Sequence, residues 1–198
     1  MNVLNLCKEF CPDKLPINVG VRLGDGSNGE CLSIVGDPNM VIKLSILYDY
    51  NIGLYKFYEE IRKSINYIIQ TKPRAYVNVY EQGYFGTFSR YSGGQKFILY
   101  YYLMEKLQEI SEDEARVFHS ILSHEDRLIK KNWSSVKIDK ILKSLSTALD
   151  FDASMVKLFL EDIKLSNLIH RDLHSRNIMK TISGNFKLID LDSLTFKE

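Results

Sequence analysis

Hydrophobic and polar positions change period twice along the 198 residues. In the first 47 residues an opening segment is followed by short β-leaning runs, RLGDGSNGECLSIVGDPNMVIKLSIL, with a Gly-rich turn and an Asp37-Pro38-Asn39 turn between them. From Asp49 to Gln70 the period becomes helical. Leu54, Tyr58, Ile61, Ile65 and Ile68 recur at three- and four-residue steps around Glu59, Arg62, Lys63 and Asn66, and Pro73 stops the helix. Two strands are then predicted, AYVNVYEQGYF over 75–85 and KFILYYYLMEKL over 96–107.

Beyond residue 110 the pattern is mostly helical. Ser111 and Glu114 have the spacing of a capping box that opens a helix over 112–123. Further helices are expected over 135–149 and from Ala153 to Ser166, with Asp152 as N-cap and Asn167 as a left-handed C-cap. A Ser-Gly-Asn turn at 183–185 makes NIMKTISGNFKLI a hairpin. The fold class is therefore α+β: a first half of sheet with one helix, a second half of helices with a terminal hairpin, and a linker near 105–111.

Composition narrows the classes. With 45% apolar and 12% aromatic residues the chain forms a packed core with ease, which excludes disorder. A net charge of +1 with acids and bases interspersed supplies no field or basic stripe for nucleic acid. The longest apolar run, FILYYYLM, is too short to span a bilayer, and the N-terminus lacks the n-region and h-region of a cleaved signal peptide. Cys7, Cys11 and Cys31 are too few and wrongly spaced for a disulfide framework or a zinc site, so they are read as thiols in a reducing, intracellular compartment. Trp133, His119 and His124 read as surface or satisfied core residues, and Tyr100–Tyr102 as a buried strand.

Four features in fixed order carry chemistry. Gly24, Gly26 and Gly29 form G-x-G-x-x-G between two strand-like runs; alone it is an ordinary hairpin, but a strand–Gly loop–strand also turns backbone N–H groups toward phosphates. Lys43 is a lone cation in the apolar strand MVIKL; it either snorkels from a sheet edge or is held by a carboxylate of the next helix, Glu60 being preferred over Glu59. In IHRDLHSRNIM, Asp172 is placed to face a substrate hydroxyl while Asn177, five residues on, turns to a metal ion. The hairpin that follows returns Asp190 beside Asn177, an oxygen donor set of the kind Mg²⁺ prefers.

Together these features resemble the protein-kinase fold: glycine loop, V-I-K strand, helix with a Glu, HRDxxxxN, and a D-x-D in place of DFG. The resemblance covers about residues 20–192 and implies a two-lobed, minimal protein-kinase-like fold, with an N-lobe over 1–105 and a reduced C-lobe over 106–198. It implies ATP and Mg²⁺ as cofactors. The roles carried over are phosphate approach at Gly24, Gly26 and Gly29, phosphate positioning by Lys43 with Glu60, and proton acceptance by Asp172. Asn177 and Asp190 would hold the metal, joined by Asp192 as a second carboxylate. Met104 would be the gatekeeper, with backbone groups of Glu105 and Leu107 reading the adenine edge.

Two departures refine the class. Only eight residues follow Asp190, where the family continues with an activation segment and an A-P-E motif; the sequence is either a piece of a longer chain or a minimal kinase, and the second, preferred, implies activity without activating phosphorylation. Ser193 and Thr195 fall where an activation loop would start. His174 stands where kinases acting on serine or threonine usually carry Lys, as a weaker stabiliser of the transferring phosphate. The size is similar to that of bacterial effector kinases of the HopBF type, which implies a secreted Ser/Thr protein kinase acting in host cytosol on a protein such as Hsp90 or a ubiquitin-conjugating enzyme. D-L-H-x-x-N and I-D-x-D are also similar to aminoglycoside and choline kinases, and a kinase-shaped binding module is the third alternative.

Overall fold

A computed structural model describes residues 2–26, 28–49, 53–90, 94–123 and 135–197. The chain divides into two compact units, Met1–Lys72 with Asn78–Lys106, and Pro73–Val77 with Leu107–Glu198. Its described residues are mixed α+β, with five α-helices and a five-stranded antiparallel sheet. Among them no helix is long and apolar enough to cross a membrane.

The first unit holds α1 (Val3–Phe10), β1 (Val19–Gly26), β2 (Gly29–Ile34), β3 (Asp37–Tyr48), α2 (Leu54–Thr71), β4 (Val79–Ser89) and β5 (Lys96–Glu105). The sheet order is β1-β2-β3-β5-β4. The apolar run of β5 is buried on both faces, which is why it does not alternate. Its odd-numbered side chains, Phe97, Leu99, Tyr101 and Leu103, share one core with Val3, Leu6, Cys7 and Cys11 of the α1 segment. Its even-numbered ones face the other way, where Tyr58 of α2 lies 5.3 Å from Tyr100.

The predicted helix from Asp49 begins later, at Leu54, and the predicted strand from 75 begins at Val79. At the C-terminus of α2 the chain turns left-handed at Lys72, whose N–H donates to Ile68 O, one residue before Pro73. The sequence pattern gave no sign of α1. Among its described residues this unit therefore has two α-helices rather than one. Burial raises the thiol of Cys7 to about 12, helped by the adjoining Cys11, so these cysteines pack as hydrophobes.

The second unit holds β6 (Gln108–Glu109), α3 (Glu112–Ser123), α4 (Ser135–Leu145), α5 (Ala153–Leu165), β7 (Leu168–His170), β8 (Ile178–Lys180), β9 (Phe186–Leu188) and β10 (Leu194–Phe196). The capping box of α3 forms as expected: Ser111 N donates to Glu114 Oε2 at 2.7 Å and Glu114 N to Ser111 Oγ at 3.2 Å. Asp152 caps α5 by accepting from Ser154 N and Met155 N. Asn167 is not the left-handed C-cap; Ser166 closes α5 in extended conformation because β7 follows at once.

The core of this unit is a triad of rings, with Phe118 4.9 Å from Phe186 and 5.5 Å from Phe159. Fully burying one such ring contributes roughly 1.5–3 kcal/mol. Tyr76 is fully buried and donates its hydroxyl to Leu168 O at 3.2 Å, while Leu188 N donates to Ala75 O at 2.7 Å. The segment 73–77, whose last three residues were expected to open a strand of the first half, thus completes the second unit. His119 is exposed, and Tyr100–Tyr102 are buried as expected. His124 and Trp133 lie outside the described residues.

Candidate functional site

In the first unit the glycine stretch is a tight hairpin between β1 and β2, with Gly24 opposite Cys31 and Gly26 opposite Gly29. The three glycines are not equivalent. A Cβ on Gly24 or Gly26 would meet nothing within 4 Å, so β1 presents open backbone at these two positions. A Cβ on Gly29 would lie 2.6 Å from Leu44 O and 3.1 Å from Lys43 Cε. That glycine is needed so that β2 can seat directly on the strand that carries Lys43.

Lys43 opposes Cys31 on β2 and Tyr102 on β5, and its ammonium lies 5.7 Å from the centroid of the Tyr102 ring. Of the two acids proposed to hold it, Glu59 is engaged along its own helix. Glu59 accepts two hydrogen bonds from Arg62, one turn along α2, at 2.7 and 3.2 Å. Glu60 is half-buried in the same helix.

Glu105 donates its N–H to Asn78 O at 3.0 Å, and its carboxylate accepts from Asn78 N at 2.8 Å. Lys106 N donates to Asn39 O at 2.7 Å. The N–H of Glu105, one of the backbone groups expected to read an adenine edge, is thereby committed to Asn78.

In the second unit the polar cluster of IHRDLHSRNIM is laced by its own bonds. Asn177, in a 3-10 turn over Ser175–Asn177 and only 8% exposed, donates Nδ2 to Asp172 O at 2.8 Å. Its main-chain oxygen accepts from Ile189 N at 2.9 Å, so the β8–β9 hairpin returns Ile189, the residue before Asp190, to Asn177. Gly184, at φ 86, makes the turn of that hairpin.

Asp190 has φ 59 and ψ 56, one of two non-glycine residues at positive φ among the described residues. A side chain there costs about 1–2 kcal/mol, a strain that clusters at functional positions. His174 accepts from Arg176 N through Nδ1 at 3.2 Å, and its Nε2 lies 3.4 Å from Asp172 Oδ2 and 3.2 Å from Asn177 Nδ2. His174 is thus set against the loop's own carboxylate. Asp172 itself is exposed, and Asp192 is buried in the turn over Leu191–Ser193.

One residue of this cluster was quoted in the motif without a role. His170 is buried, and its Nε2 bonds to Ile189 O at 2.8 Å. Burial lowers its pKa, so the ring is neutral and donates to that carbonyl, fixing the residue before Asp190. β10, unforeseen in the sequence, pairs antiparallel with β7, and Arg171 N donates to Ser193 O at 2.8 Å. Thr195, expected where a phosphorylatable loop would start, is instead opposite Ile169 in this ladder.

Asn177 and Asp190 supply hard oxygen donors, and Nδ2 of Asn177 is turned to Asp172, which leaves the amide oxygen for a cation. Two such donors suit Mg²⁺, which keeps its other positions for water and phosphate oxygens. Among the described residues no three His, Cys, Asp or Glu side chains gather into a metal site of their own. No protein-family model matches the chain, and no curated protein matches it either.

Proposed function

We propose that the chain is a two-lobed, minimal kinase-like phosphotransferase that moves the γ-phosphate of ATP to a serine or threonine hydroxyl of a protein. The observation that carries this reading is the lacing of Asp172, Asn177 and Ile189–Asp190, with Asp190 held in a left-handed backbone.

Asp172 has an exposed carboxylate suited to orient an acceptor hydroxyl and take its proton. His174 Nε2 holds that carboxylate from one side, a positioning role in place of the phosphate contact expected of a lysine. Asn177 and Asp190 would hold Mg²⁺, which when bound neutralises phosphate charge. The bare backbone at Gly24 and Gly26 admits phosphate oxygens, and Lys43 supplies a cation for them. β10 holds the segment after Asp190 by main-chain pairing, which supports activity without prior phosphorylation. Hsp90 and ubiquitin-conjugating enzymes are acceptors suggested by the resemblance to effector kinases.

The test is transfer of label from γ-labelled ATP with Mg²⁺ into a eukaryotic lysate, beside an Asp172→Ala control. One or a few labelled protein bands, absent in the control, are expected. Consumption of ATP only with a metabolite extract would replace the protein acceptor by a small molecule. ATP-dependent thermal stabilisation without turnover would make the fold a binding module.

A further inference from the structure

We propose that Glu30 is a positioning residue that clamps α1 to the strand bearing the glycine hairpin, and so holds the hairpin where it meets the phosphates of ATP. The inference rests on the phosphotransferase reading above. Glu30 is the second residue of β2, immediately after Gly29, and is 1% exposed. Carboxylates are almost never so buried unless they are held. Its Oε2 accepts from Leu4 N at 3.2 Å, one of the N–H groups that the first turn of α1 leaves without a helical partner. The positive end of the α1 dipole favours the charge at that place. Oε1 is buried with no hydrogen-bond partner, so the carboxylate is fixed through one oxygen.

The hairpin depends on β2 for its position. On the β1 side the strand is exposed from Val21 to Gly26, and its pairing with β2 slips register twice. On the β2 side, Asn28 O accepts from Ile46 N at 2.8 Å and Gly29 is seated against Leu44 and Lys43. Glu30 adds a tie to α1 at the same point. The other end of the N-terminal segment is fastened separately, where Lys14 Nζ donates to Phe85 O at 2.9 Å. With Val3, Leu6, Cys7 and Cys11 in the core, α1 stays docked when Glu30 is lost, and only its first turn and the hairpin arm are released.

The experiment compares Glu30→Ala and Glu30→Gln with the wild type. It reads the ATP concentration for half-maximal labelling, the maximal rate, and amide hydrogen exchange over residues 29–34. In Glu30→Ala the half-maximal ATP concentration is expected to rise about fivefold to tenfold with the maximal rate within about twofold, as for loss of a buried hydrogen bond that acts on binding. Exchange in β2 rises with it. Glu30→Gln keeps an oxygen for Leu4 N–H and stays close to wild type in both.

A change in maximal rate alone, unchanged exchange in Glu30→Ala, or lost protection beside an unaltered ATP requirement overturns the assignment. Should Glu30→Ala fail to fold, Leu4→Pro removes the donor from the first helical turn, where proline is tolerated, and is judged by the same outcomes. A wild-type chain that neither binds nor turns over ATP overturns the phosphotransferase reading instead. The exchange data then still show whether the clamp exists.

Discussion

Gly29→Ala separates packing from chemistry in the glycine hairpin. The added methyl would lie 2.6 Å from Leu44 O, where ordinary contact starts near 3.4 Å, and 3.1 Å from both Lys43 Cε and Ser45 Oγ. Two of the three neighbours are side-chain atoms that can yield, but the closest is backbone in a continuous ladder. Strand β2 must therefore lift from β3. Overpacking of this kind costs about 1–3 kcal/mol. For a chain of this size, each kcal/mol lowers the melting temperature by about 2–4 °C.

Gly24→Ala and Gly26→Ala supply the controls, since their methyls meet nothing within 4 Å. Neither position has positive φ. Their stability should stay within about 0.5 kcal/mol of wild type, as for an unstrained surface change. Urea melts of the three variants, followed by circular dichroism, measure the contrast. Equal stability for Gly29→Ala and wild type, or an equal loss at Gly24, would refute the claim that β2 seats on Lys43 through a missing side chain.

Two further outcomes concern the second unit. Phe118→Ala empties the centre of the ring triad and should cost about 3–5 kcal/mol in a urea melt, with Phe159 and Phe186 left facing the cavity. Burial alone would raise the pKa of Glu114, but the Lys180 ammonium at 2.8 Å and the Ser111 N–H outweigh it and hold the carboxyl below its ordinary value of 4.5. A depressed acid contributes stability that is complete above its unfolded pKa and is lost as pH falls through the folded one. Wild type should therefore lose its stability advantage over Glu114→Gln as pH falls below about 4.5, a difference that melts at stepped pH would follow.

Elements with a strong local signal were legible in the sequence. The Ser111–Glu114 box, the Asp152 cap and the 178–188 hairpin are each specified within a few residues, and all three form. The helix α1 was hidden because eight residues span only two turns and its apolar positions had no visible partner. β7 and β10 are three residues each, too short for an alternating pattern, and exist only because they pair with one another. The Asn167 cap failed because tertiary pairing of β7 overrode a local preference for the left-handed turn. At the candidate site, residue types and order were readable, but the αL backbone of Asp190, the bond from His170 to Ile189 O and the engagement of Glu59 with Arg62 are conformational facts that composition does not encode.

The five residues Pro73–Val77 interrupt the first unit and finish the second. They lend the side chain of Tyr76 to its interior and two main-chain bonds to Leu188, an edge that residues 107–198 alone would leave open. The second unit is therefore not a cassette that a single recombination point can transplant. A graft ending at Leu107 would carry the whole HRD loop and still be missing a piece of its own wall.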